Sequence, residues 1–414
     1  MHSRANPIRN IVSATTPTST PAAISLPKTG TRFNSIDLLR GLVMIIMALD
    51  HTRDFFHIQA LTGDPTDMNT TTPLLFFTRF ITHFCAPVFV FLAGTSAYFQ
   101  SFRKSKSELS SFLIKRGLWL IVIEVAVVTL AITFDPGYHI IFLQTIWSIG
   151  ISMMLLGVII YLPYKAIFTI AAVILVGHNA MDYYEATHAA TLPLWYDFLH
   201  KPAAFPIGKE HFVSIVYPFL SWTALMAMGY CFGKLYTNTT QEKRKKVLIM
   251  LGSALLLLFA ILRGTNNYGD AQHWSTQKNG VYTFLSFINV VKYPPSLLYM
   301  CITIGPALLF LAFFGDVKNR LANIITIYGR VPFFYYILHF YLLHSISALF
   351  YLMRGHTLTQ GMSGAVFKFS APGEGYSLAI VYLVWLSVVV ALYPLCKWFS
   401  KYKQEHKQWW LSYL

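Results

Sequence analysis

An arginine and a histidine sit at opposite ends of one apolar stretch, Ser35–His57, and together they have the makings of chemistry. Leu42–Leu49 is purely apolar. Asp37 and Arg40 precede it, and Asp50, His51, Arg53 and Asp54 follow. In a helix rising roughly 1.5 Å per residue, Arg40 and His51 stand about 16 Å apart along the axis. Eleven residues (51 − 40) make three turns plus about 20°, so both side chains project from one face. An imidazole titrates near neutral pH and can take a proton from a hydroxyl or an amine. A carboxylate beside it, Asp50 or Asp54, can fix its tautomer and stabilise its charged form. Asp50 can instead pair with Arg53, since adjacent residues do not share a helix face. The plainer reading is a charge cluster that ends a helix at a membrane interface.

Three further groups could join this one. In TRFITHFCAPVF, Arg79 and His83 are spaced i, i+4, as on one helical face. Arg79 could bind a carbonyl oxygen or an acidic group, or be a structural arginine capped by carbonyls. In VVKYPPS, Lys292 and Ser296 flank a rigid Pro294–Pro295 pair. Lys292 could reach a phosphate or carboxylate there, or merely snorkel to the interface. His339 and His344 lie inside an apolar run, and Glu124 lies mid-segment in another, in need of a partner such as Arg116 or a histidine.

The elements that must position these groups are membrane helices. The 414 residues are 55% hydrophobic and only 12% charged, against about 25% charged in a soluble domain. Mean hydropathy is +0.51. Apolar runs of about twenty residues recur without strand-like alternation, which predicts an all-α polytopic transmembrane bundle and excludes a β-barrel. About ten spans are expected: 36–58, 74–99, 112–133, 140–162, 166–176, 211–235, 247–262, 296–314, 331–353 and 377–397. Residues 1–34, rich in Ser, Thr and Pro, are expected as a disordered cytoplasmic tail. Residues 35–400 form the membrane domain, and 401–414 a basic, aromatic tail at the interface.

Lys and Arg cluster at the N-terminus and at 103–116, 234–246, 318–330 and 397–407. The positive-inside rule therefore puts both termini in the cytoplasm, Arg40 at the cytoplasmic end of the first span and His51 at its outer end. The same rule accounts for the net charge of +15 without a nucleic-acid partner. Cys85, Cys231, Cys301 and Cys396 are far apart in apolar surroundings, and read as buried small hydrophobes. Fourteen histidines include no HExxH or HxxxH pair with a carboxylate shell, so no metal is expected. Walker, GxGxxG and GxSxG patterns are absent. Gly94, Thr95 and Ser96 read as a small-residue packing patch.

Ser35, Ile36, Asp37, Arg40 and Gly41, followed by Phe84, Pro87, Phe89–Phe91 and Gly94, resemble the first two spans of the heparan-α-glucosaminide N-acetyltransferase family and its bacterial relatives. Lys292 with Ser296, and His339 after Tyr336, are weaker matches. The Arg40-to-His51 spacing is also similar to that of type-three membrane O-acyltransferases. The resemblance implies an integral, bacterial inner-membrane enzyme. It implies transfer of an acetyl or similar acyl group from cytosolic acetyl-CoA or another acyl-CoA to a hydroxyl or amine of an external glycan or small-molecule acceptor. Arg40, with Lys292, would face the CoA side, and His51 would be the base. Arg53, Arg79, His83, Ser296 and His339 would complete the site, and oligomers are compatible with it. The family's lysosomal enzyme carries its catalytic histidine in the loop after the first span, where this chain has Thr72–Pro73, and an asparagine at the place of His51. The acting histidine is thus His51 or His83, and heparan chemistry does not transfer. The rival reading is a transporter whose polar spans line a solute path.

Overall fold

The computed structural model describes residues 33–60, 62–188, 191–315, 317–363 and 367–413. The expected N-terminal tail lies, except for its last two residues, outside them. Each of the ten expected apolar stretches contains a helix. α1 is Asn34–Phe56, α2 Pro73–Phe80 and α3 Cys85–Gln100, the last two joined by a 3₁₀ turn at Ile81–Phe84. α4 (Lys106–Ile123) passes through a π-helical turn, Glu124–Val128, into α5 (Thr129–Thr133). α6 is Thr145–Ile159, α7 Tyr164–Gly177, α8 Ala180–His188 and α9 Leu194–Leu199. α10 (Leu220–Asn238), α11 (Gln241–Thr265), α12 (Gly280–Ile288) and α13 (Leu297–Phe314) follow. α14 is Arg320–Arg330, α15 Pro332–Met353, α16 Leu358–Ser363 and α17 Leu378–Glu405. α17 thus runs beyond the expected span end and into the basic tail.

Local sequence explains the starts. Ser105 and Glu108 close a capping box on α4, Thr72 with Pro73 opens α2, and the side chains of Thr240, Ser296 and Asn319 cap α11, α13 and α14. Each satisfies amide groups that a helix leaves open at its N-terminus.

Among the described residues, six helical segments are long and apolar enough to cross a membrane, or seven if the bent pair α7–α8 is one span. α1 falls outside that set because charges crowd both its ends, and α6 because it is short. The chain is an integral membrane protein built mainly from helices.

The fold is not purely helical. The fourth and sixth apolar stretches begin as strands, β1 (Ile140–Leu143) and β3 (His211–Ile215), with β2 (Ala203–Ile207) between them in sequence. β3 pairs parallel with β1, Ile140 opposite Phe212, and antiparallel with β2, Ala203 opposite Ile215. These strands are four or five residues long, too short for period-two alternation to stand out beside an apolar helix. The sheet buries Leu143 and Val213 against Trp147. It also delivers the segments that follow β1 and β3 to the cavity described below.

Helices approach closely at glycines. A Cβ on Gly41 of α1 would overlap the Ile325 carbonyl of α14, and one on Gly229 of α10 would overlap the Phe91 carbonyl of α3. Gly94 meets Met226 of α10 in the same way, and Thr95 donates to the Gly229 carbonyl at 3.0 Å. Small residues let membrane helices touch through their backbones, so the expected packing patch holds at Gly94 and Thr95, whereas Ser96 turns to the Arg40 guanidinium. The four cysteines are free and buried.

Candidate active site

α1 carries the predicted face. Val43, Met44, Met47, Asp50, His51 and Asp54, spaced three and four apart, line a cavity of about 310 Å³. Arg40, one turn before Val43, lines a second cavity of about 710 Å³. Both volumes are in the range of small-molecule sites. α3 lines both with one stripe. Cys85 and Ala86 face the first cavity, Phe89 faces both, and Ala93, Ala97 and Gln100 face the second. α6 does the same, with Thr145 on the first side, Ile146 on both, and Ile149 and Met153 on the second. Among the described residues, Phe89 and Ile146 are the two that line both cavities.

The first cavity is rich in paired charge. Asp50, 6% exposed, accepts from Arg53 at 3.1 Å and from Arg79. Arg53 also donates to Asp54 at 2.6 Å. Asp54, not Asp50, is the carboxylate near the imidazole, with His51 Nδ1 3.8 Å from its Oδ2. The reason is helical phase: Asp54 is one turn from His51, whereas Asp50 points to α2. Lys292 lines this cavity, its ammonium 5.2 Å from the Tyr293 ring. Tyr217, Tyr293, Tyr336 and Phe340 supply ring surface, and the Phe340 ring lies 4.2 Å from that of His51.

The segment 367–374 covers one side of the cavity. Lys368 is 3.8 Å from Asp135, and its carbonyl accepts from His344 Nε2 at 2.9 Å. Glu374 pairs with Arg354 at 3.2 Å and His356 at 2.8 Å. The hydrogen bond from His356 holds the Glu374 carboxyl below its ordinary range. Asp135 is likewise held low. Burial alone would raise it, but hydrogen bonds from His139 and the Gly137 amide, with the Lys368 charge, outweigh that.

Other predicted residues sit elsewhere. His83 is buried at 3% exposure, its ring against Phe80 and Tyr299, and it lies outside both cavity linings. The i, i+4 expectation fails because the 3₁₀ turn from Ile81 changes the helical phase between Arg79 and His83. Ser296 caps α13 and donates to Asp270 at 2.6 Å. His339 stands behind His51, ring centroids 5.3 Å apart, with Nδ1 held by the Tyr335 carbonyl at 3.2 Å. Glu124 takes neither Arg116 nor a histidine. Its Oε1 accepts from the Gln144 amide at 3.1 Å, just ahead of α6. His344 stacks on Phe134 at 3.8 Å.

The second cavity is basic. Arg40, Arg103, Lys104, Arg116, Arg330 and Lys403 line it, with no carboxylate among the lining residues. Arg40 itself donates to Asp37 (3.2 Å), Ser96 Oγ (2.8 Å) and the Gly329 carbonyl (3.4 Å). The buried Nε of Arg330 has no hydrogen-bond partner. This donor set suits a polyanion, and its apolar inner wall of Ala93, Ala97, Ile149 and Met153 suits a flexible, less polar arm. Sequence reasoning placed Arg103, Lys104 and Arg116 in a basic loop and assigned them to topology, with Arg116 also as a partner for Glu124. Arg330 and Lys403 were read only as parts of basic clusters and Phe89 only as part of a motif, and Ile146 carried no local signal. One cluster of potential metal ligands occurs among the described residues, Asp182, Glu185 and His200. It lies outside both linings, and His200 Nδ1 is hydrogen-bonded to Glu185 at 2.6 Å.

In sequence comparisons, the family description "Heparan-alpha-glucosaminide N-acetyltransferase, catalytic" matches residues 32–263. No curated protein matches the chain. The family match spans α1 to α11 and so covers most of both cavity walls, though not Lys292, Arg330, segment 367–374 or Lys403.

Proposed function

Because the chain belongs to the heparan-α-glucosaminide N-acetyltransferase catalytic family, we propose that it moves an acetyl or similar acyl group from acyl-CoA to a hydroxyl or amine of a glycan or small-molecule acceptor across a membrane. The observation that carries this is the pair of cavities, one basic and one holding His51, that share Phe89 and Ile146 in their walls. Beside Arg40, five cations offer the phosphates of CoA charge-assisted bonds. The apolar wall beyond them fits its arm.

In this reading the basic cavity opens to the cytoplasm, in keeping with the positive-inside rule. The His51 cavity faces outward, both termini are cytoplasmic, and the helices of the ten apolar stretches all cross. The bacterial inner membrane suits that topology. His51 takes the proton from the acceptor hydroxyl or amine as that atom attacks the thioester carbonyl. Asp54 supports the resulting imidazolium. Arg79 and Lys292 face the same space and stabilise the negative charge developing on the carbonyl oxygen. The carbon–sulfur bond then breaks, and the leaving thiolate receives the proton from His51. Asp50 acts by holding Arg79 and Arg53, and Arg40 by shaping the donor cavity. His339, Ser296 and His83 are left to positioning and packing.

The test is His51→Ala in proteoliposomes with acetyl-CoA and an amino-sugar acceptor, reading free CoA. Loss of a general base lowers turnover by about 10²–10⁴-fold. Full activity would remove His51 from the mechanism. Solute movement by wild-type protein without thioester cleavage would favour the transporter reading.

A further inference from the structure

Phe89 and Ile146 stand where the two cavities meet, and the walls beside them change character. Towards Arg40 the walls are Ala93, Ala97, Ile149 and Met153. Towards His51 they are Val43, Met44 and Ala86. Apolar side chains thus stand on both sides of the pair, joined on the His51 side by Gln144 and Thr145 and on the other by Ser96. An acyl group at the tip of a CoA arm is the first part of the donor to reach this point.

We propose that Phe89 and Ile146 form an acyl-selecting septum, which admits a short acyl group to the His51 cavity and rejects longer ones. The inference rests on the acyltransferase reading and adds to it the residues that set the donor. The septum is held rather than loose. Ile146 is 3% exposed and sits in the first turn of α6. Glu124, in the π-helical turn after α4, accepts a hydrogen bond from the backbone amide of Gln144, the N-cap of α6, at 3.1 Å. That ties the α6 N-terminus, and Ile146 with it, to the turn that follows α4. Phe89 is fixed from the other side, since α3 packs backbone to backbone on α10 through Gly94 and Gly229. With both backbones held, a longer acyl chain has to displace the two side chains to pass. An apolar pocket discriminates each methylene by roughly 10–200-fold, so a rigid septum gives steep selection by length.

The experiment compares wild type, Phe89→Ala, Phe89→Leu and Ile146→Ala in proteoliposomes, with acetyl-, butyryl- and octanoyl-CoA and glucosamine as acceptor. The reading is the kcat/KM ratio of octanoyl- to acetyl-CoA. The ratio should rise by about tenfold or more in Phe89→Ala and Ile146→Ala, and less in Phe89→Leu. Thioester cleavage with an unchanged ratio in all variants overturns the septum and leaves the acyltransferase reading standing. No cleavage of any thioester by wild type overturns that reading and the selecting role together. A second measurement guards against misfolding. Cys85 lies one turn from Phe89 on the His51 side, and the other cysteines line neither cavity. A membrane-impermeant maleimide applied from the Arg40 side should alkylate Cys85 at least tenfold faster in Phe89→Ala than in wild type. An equal rate in a variant that still binds CoA contradicts a septum at Phe89.

Discussion

Replacing Asp50 by asparagine tests the charge network most directly. Asp50 is the shared acceptor of Arg53 and Arg79, and its side chain is 9% exposed while those of Arg53 and Arg79 are 6% and 14% exposed. The two arginines are not equally harmed. Arg53 keeps Asp54 at 2.6 Å, whereas Arg79 loses its carboxylate. Removing one partner of a buried ion pair costs about 3–5 kcal/mol, because the remaining charge stays desolvated. Arg79 borders a cavity, so part of that cost is relieved, and the lower end, about 3 kcal/mol, is expected. Unfolding in detergent micelles, followed by tryptophan fluorescence, measures it. Arg79→Gln should cost less, about 1–2 kcal/mol, since Asp50 retains Arg53. The double variant should then be more stable than the sum of the two losses predicts, by more than the ~0.5 kcal/mol scatter of independent sites. If Asp50→Asn lies within about 0.5 kcal/mol of wild type, or if the two changes simply add, the pairing described here is not what holds this end of α1.

The other expectations are narrower. Arg330→Gln should weaken CoA binding about tenfold or more, the loss of one charge-assisted bond worth about 1.5–3 kcal/mol, with the difference shrinking at high salt. Titration calorimetry with CoA reads it, and an unchanged affinity would argue against phosphates in the basic cavity. Gly229→Val should destabilise by about 1–3 kcal/mol or more through backbone overlap with Phe91, while Gly280→Ala, where nothing lies within 4 Å, should leave the melting temperature nearly unchanged. Asp135→Asn should cost about 1–2 kcal/mol at neutral pH. The native carboxyl is held below its ordinary range, so its stabilisation is full above about pH 3.9 and fades as pH falls through the lower native value. The variant should therefore lose stability at neutral pH but show a shallower acid limb in a pH series of melting temperatures.

Much of the site was legible because helical periodicity is a local property. The spacing of Arg40 and His51 fixed their shared face before any neighbour was known, and the structure puts both on cavity walls, one in each cavity. The same rule failed at Arg79 and His83, where a 3₁₀ turn alters the phase and a buried ring takes the place of a site residue. No pattern marks that turn in TRFITHFCAP. Glu124 was recognisable as a buried charge in need of a partner. That the partner is a backbone amide at the head of α6 could not be read from residues twenty positions apart.

The sequence by itself determined the membrane character, the places of the apolar stretches, the bias of basic loops and the line from Arg40 to His51. These follow from hydropathy, charge and a helical repeat, each set within a few turns of chain. Tertiary structure alone decided that Arg103, Arg116, Arg330 and Lys403 gather round one cavity, and that Phe89 and Ile146 line both cavities. Those facts depend on how α1, α3, α6, α14 and α17 pack, and packing joins residues that no local period connects.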